Sequence, residues 1–200
     1  MVPRARLLSM IAGAALLLSI VLIVASQLRR VPRRTLTTGE ETAAIPSPGQ
    51  HGPIAAGEKA APFKLTDLQG DSVSMASLRG KVVFLNIWAT WCAPCREEMP
   101  SMEKLYEQLR GNKGFVMLAV SQDSGSRDEV AAYVKKHGYK FDVLLDPQNA
   151  VAEAYKVSGV PETFIIDRQG RIVAHHSGAF DWSQKAIADA LEELLQDNKG

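Results

Sequence analysis

The stretch KVVFLNIWATWCAPCREEMP, residues 81–100, decides how the rest of this 200-residue chain is read. Residues 81–89 form a nearly continuous apolar run, the pattern of a strand buried on both faces. Behind it the apolar spacing changes, and Met99, Met102, Leu105, Tyr106 and Leu109 share one stripe of a helix predicted over 93–110. Both cysteines of the chain, Cys92 and Cys95, fall at that junction, with Pro94 between them to stiffen the turn. A sulfur at a helix start lies among unpaired backbone N–H groups and at the positive end of the helix dipole, which favours the thiolate. Cys92 is therefore the exposed, attacking candidate. Cys95, one turn inside, can close a short disulfide with it, so the pair can pass electrons to a partner through a mixed disulfide.

Outward from the junction, short β-like runs alternate with helical ones. Strands are predicted at 63–68 and 72–75 around a Gln69-Gly70-Asp71 turn, and at 115–120, 141–145, 163–167 and 171–175. Helices are predicted at 127–137, 150–155 and 183–195, and a terminal hairpin turns over Arg168-Gln169-Gly170. This alternation implies an α/β layer fold, a central sheet flanked by helices. Trp88 belongs to the core, and the mixed-charge helix at 127–137 reads as a solvated face. His175 and His176 alternate across the last strand, so at most one points inward, and solvated histidines are expected.

The N-terminus differs in composition from all that follows. Residues 7–28 are 22 positions without a charge, about 33 Å as a helix, enough to span a bilayer. A cleaved leader with a site near Ile23-Val24-Ala25 is the competing reading, but the run is long for one and Arg29-Arg30 flank it like a boundary. Arginines on both sides leave the orientation to the cysteines, whose reversible disulfide belongs in an oxidising compartment, so residues 1–6 are expected in the cytoplasm. Residues 29–58, with Pro32, Pro46, Pro48 and Pro53 and no apolar period, read as a tether, and 59–200 as the folded domain. Six arginines precede position 35 and no acid does, leaving 17 basic against 22 acidic residues in 35–200, a net of −5. A mildly acidic domain is a poor nucleic-acid binder.

Other uses of two cysteines fit less well. A structural zinc needs four ligands, and His51, His137, His175 and His176 supply no second pair at a metal-binding spacing. Covalent haem attachment requires a histidine after the second cysteine, where Arg96 stands. A disulfide closing so small a loop restrains the unfolded chain little, which argues against a mere staple. A peroxidatic cysteine would want Pro and Thr upstream of it, and 84–89 offers neither. No metal or cofactor is therefore expected.

The segments LRGKVVFLNIWATWCAPCREEMP and GVPETFIID together resemble the membrane-anchored thioredoxin-like proteins of the TlpA/ResA/DsbE (CcmG) family, over roughly residues 59–198. The resemblance implies a thioredoxin-like fold with an N-terminal β-hairpin, a helix-strand insertion and one preceding transmembrane helix. It also implies an extracytoplasmic thiol-disulfide oxidoreductase, usually a reductase, serving protein disulfides such as those of apocytochrome c. Its electrons would come from a membrane thiol donor of the DsbD/CcdA type. In that family Pro161 is the cis-proline facing the cysteines, and the Val160 carbonyl offers strand-like pairing to a substrate chain. Where cytoplasmic thioredoxin carries a buried aspartate this chain has Asn86, which cannot accept a proton, so another base must serve Cys95. Glu98, one turn on, matches a functional glutamate of the ResA-like members, whereas Glu97 reads as surface. Glu162, in a PETF motif like that of the cytochrome c maturation branch, is a candidate to tune the thiols or touch substrate. Trp91 is a candidate docking surface. A non-catalytic binding module on the same fold, or a general disulfide oxidoreductase, remains the alternative.

Overall fold

The computed structural model describes residues 56–197. The proposed cytoplasmic segment 1–6, the apolar segment 7–28 and nearly all of the tether lie outside them. Among the described residues no helix is long and apolar enough to cross a membrane.

Seven strands form one mixed sheet. In chain order the elements are β1 (Lys64–Asp67), β2 (Ser72–Ser74), a 3-10 turn (Met75–Leu78), β3 (Val82–Trp88), α1 (Ala93–Leu109), β4 (Phe115–Ser121) and α2 (Arg127–His137). They continue with β5 (Asp142–Leu145), α3 (Ala150–Ala154), β6 (Glu162–Ile166), β7 (Ile172–Ser177) and α4 (Lys185–Gln196). The strand order is β2-β1-β5-β4-β3-β6-β7. β3 runs parallel to β4 and antiparallel to β6, so the strand with the longest apolar run lies near the middle, all seven of its residues buried. Its alternate side chains feed two cores. Val82, Phe84 and Trp88 face α1 and α4, whereas Val83, Leu85 and Ile87 face Tyr155, Leu118 and the 3-10 turn. Each such side chain contributes about 1.5–3 kcal/mol on burial.

The two predicted hairpins share one device. In each turn an aspartate Oδ1 accepts from the backbone N–H two and four residues on, at 2.8–2.9 Å: Asp67 from Gln69 and Asp71, Asp167 from Gln169 and Arg171. The glycine between them, Gly70 or Gly170, has a positive φ that other residues rarely adopt. Between β4 and β6 the chain forms α2, β5 and α3, with β5 bridging β4 to β1.

Three expectations need correction. Pairing starts before residue 59: Gly57 N donates to Ile172 O and Arg171 reaches the Gly57 carbonyl, each at 2.8 Å, so the end of the expected tether is the first rung of the domain. α2 is only half solvated, because Val130 and Val134 are buried and Tyr133 packs against Trp88 with ring centroids 5.5 Å apart. His175 is not solvated: its side chain is 8% exposed, stacked on Phe164 and paired with Glu162.

Candidate active site

The cysteines sit where β3 hands over to α1. Cys92 is the N-cap of the helix, its Sγ accepting from the Cys95 N–H at 3.2 Å, with Pro94 in the first turn, where a missing N–H costs nothing. The two sulfurs are joined in a disulfide. Cys95 is wholly buried and Cys92 keeps 4% of its surface, less than the exposed thiol expected, while Trp91 before it is 67% exposed. The Val160–Pro161 peptide is cis, and the Val160 carbonyl oxygen lies 3.5 Å from Cys92 Sγ.

The loop into the helix is held from the next strand. Thr90 donates to the Asp123 carboxylate through its backbone N–H (3.0 Å) and its hydroxyl (2.6 Å). Ser121, the last residue of β4, donates to the same carboxylate at 2.7 Å. Asp123 thereby fixes the turn carrying Trp91 and Cys92.

One turn beyond Cys95, Glu98 is 2% exposed. Asn86 Nδ2 donates to its Oε1 at 2.9 Å, while Trp182 Nε1 and the Phe180 N–H donate to Oε2 at 3.0 and 3.2 Å. Burial raises its pKa from 4.5 to about 7, and the three donors, Trp182 foremost, oppose that rise. A carboxyl so placed can gain or lose a proton near neutrality. Asn86 also donates to Thr163 Oγ1 at 2.9 Å, and its Oδ1 has no hydrogen-bond partner among the described residues. A cleft of about 430 Å³ opens beside this cluster, lined by Glu97, Glu98, Ser101, Lys104, Phe180 and Asp181 among others.

A disulfide at a helix start on a thioredoxin-like sheet has clear relatives. The family described as AhpC/TSA matches residues 56–175. The chain belongs to it. Thiol-disulfide oxidoreductase ResA of Halalkalibacterium halodurans is 40% identical over 137 residues, 68% of this chain and 76% of that protein. The Chlorobium tepidum structure described as a thiol:disulfide interchange protein DsbE superposes with a TM-score of 0.60 at 31% identity, covering 71% of this chain and 96% of its own. An exposed lipoprotein thioredoxin of Streptococcus pneumoniae superposes at 0.57 with 28% identity, covering 66% and 99%. Within the AhpC/TSA family the protein is thus a thioredoxin-like thiol-disulfide oxidoreductase of the ResA/DsbE type, with Cys92 and Cys95 as its Cys-x-x-Cys pair.

In this oxidoreductase the predicted residues divide between two faces of the sheet. Cys92, Cys95 and Glu98 share the α1 face, with Val160 and Pro161 at its rim and Trp91 and Pro94 toward solvent. Glu162 does not join them. It alternates with Thr163 along β6, is 5% exposed, and is bonded on the opposite face by Ser177 Oγ at 2.8 Å and by His175. Among the described residues no group of acidic, histidine or cysteine side chains could hold a metal ion. Sequence reasoning missed Asp123, Thr163, Phe180 and Trp182. Only Trp182 left a trace, as a tryptophan just ahead of the last helix whose indole N–H would need a partner if buried.

Proposed function

We propose that this oxidoreductase is a membrane-tethered reductase of protein disulfides outside the cytoplasm, with the haem-site cysteines of apocytochrome c as the favoured substrate. The observation that carries the reductase reading is the buried Cys95 followed one turn later by a buried carboxyl titrating near pH 7. The reduced Cys92 thiolate, stabilised by the helix start, attacks one sulfur of a substrate disulfide, and the other leaves as thiolate. Glu98 then accepts the Cys95 proton, and the Cys95 thiolate attacks Cys92 Sγ. The bond from Cys92 to the substrate breaks, its electron pair leaves on the substrate sulfur that Cys92 had attacked, and the protein disulfide seen here remains. Two electrons have passed to the substrate. Trp91 and the Val160 carbonyl beside Cys92 supply a face and a main-chain acceptor for the substrate chain, with Pro94 and Pro161 shaping its edges. Glu162, buried under that rim, acts on it through packing and its bonds to β7.

An extracytoplasmic setting is supported by the apolar segment 7–28 and by similarity to an exposed lipoprotein thioredoxin. There a reductase must be recharged by a membrane thiol donor of the DsbD/CcdA type. The reading is tested by the reduction potential, expected near thioredoxin's roughly −270 mV. A value near roughly −120 mV, that of a strong oxidant, would overturn it. A phosphatase fused after residue 58 should be active, and loss of the protein should lower holocytochrome c unless thiol reductant is supplied.

A further inference from the structure

We propose that Trp182 is a positioning residue for Glu98, its indole N–H holding the carboxylate in the orientation and ionisation state in which it can take the Cys95 proton. The inference rests on Glu98 serving as that proton acceptor.

The carboxylate is gripped from two sides. Asn86 of β3 holds Oε1, and Oε2 receives the Trp182 indole and the Phe180 amide. Ser101 ties the 178–184 loop to α1, accepting from Trp182 N at 3.0 Å while its hydroxyl donates to the Glu98 carbonyl at 2.7 Å. The indole itself is 1% exposed, with Phe84 edge-on at 4.9 Å and Phe180 at 4.9 Å. A phenyl ring would fill the same apolar pocket; what the indole adds is a buried N–H that needs a partner. That N–H is spent on the one buried carboxylate of the site.

Beyond Trp182, Asn86 and the Phe180 amide, no group around Glu98 donates to its carboxylate. Thr163 is reached only through Asn86. Cys95 is the proton's source. His176 stands edge-on to Trp182 at 5.8 Å, and burial lowers its pKa, so it is neutral at pH 7. Glu97, Lys104 and Asp181 line the cleft toward solvent. Hydrogen bonds to an ionised group are worth more than those to a neutral one, so each donor favours the carboxylate. Without Trp182, burial would act with less opposition and leave Glu98 protonated at neutral pH, unable to accept.

The test uses the full chain with Trp182→Phe, which keeps an aromatic ring and deletes the donor. In the oxidised protein the Glu98 carboxyl, followed by carbon NMR, should titrate roughly one pH unit higher than in the parent. In the reduced protein, resolution of the mixed disulfide should slow about fivefold at pH 7, the loss of ionised Glu98 that such a shift implies. The rate should recover as the pH is raised, which a merely structural defect would not allow. An unchanged Glu98 midpoint, or a slowing equal at every pH, overturns the proposal. If Glu98→Gln leaves resolution unaltered while Trp182→Phe still moves the midpoint, the proton-acceptor reading falls and the control by Trp182 stands. Should Trp182→Phe fail to fold, the indole nitrogen resonance of Trp182 in the parent must titrate with Glu98, and its constancy refutes the inference.

Discussion

Replacing Glu98 by glutamine should change how the stability of the oxidised protein depends on pH. In the folded chain the carboxyl titrates near 7 instead of 4.5, chiefly because burial disfavours its charge. A raised folded-state pKa favours the protonated form, so the associated stability is fully present below about pH 4.5. It is lost as the pH climbs through the folded value, because the unfolded chain ionises first. A shift of about 2.5 units at about 1.36 kcal/mol each makes the parent about 3 kcal/mol less stable at pH 8 than at pH 4 on this account alone. Glutamine cannot ionise, so Glu98→Gln lacks that loss. It does place an amide where Oε1 or Oε2 accepted a hydrogen bond, a cost of about 1–3 kcal/mol, but that cost is the same at both pH values. The observable is therefore the difference between variant and parent. From urea midpoints it should move by about 3 kcal/mol in favour of the variant between pH 4 and pH 8. Keeping Cys92 and Cys95 oxidised removes the thiols from the titration. A difference independent of pH would refute both the burial argument and the proton-acceptor role built on it.

Other substitutions separate the parts of the site. Cys95→Ser should accumulate a mixed disulfide with substrate on non-reducing gels, and Cys92→Ser none. Asp123→Ala strips the acceptor from Thr90 and Ser121, so it should cost about 2 kcal/mol in denaturant unfolding and alter the alkylation rate of Cys92, while Asp123→Asn keeps most of both. Trp91→Ala, at an exposed position, should change stability by less than about 0.5 kcal/mol yet raise KM for a protein disulfide and not for a small one. Met102→Ala, fully buried under the sheet, should cost about 2–5 kcal/mol and leave the order of attack unchanged.

The sequence alone determined the frame of this protein. A strand apolar at six of its seven positions is buried on both faces within a sheet, a stripe of period 3.6 marks α1, and two cysteines at their junction must lie at a helix start; these are local facts, legible within twenty residues. The hairpins were legible for the same reason, since each aspartate and glycine satisfies its own turn. What the tertiary structure decided is the environment of each ionisable group. Glu98 and Glu97 are neighbours in sequence, yet the helix turns one under Asn86 and Trp182 and leaves the other in water. Glu162 follows the cis-proline, but the two-residue period of β6 sends it to the far face with His175. Trp182 reaches Glu98 across 84 positions, and Asp123 reaches Thr90 across 33. Periodicity tells which face of its own element a residue occupies, but the pKa of a carboxyl depends on desolvation and on donors brought from distant elements, and only the packed chain supplies those.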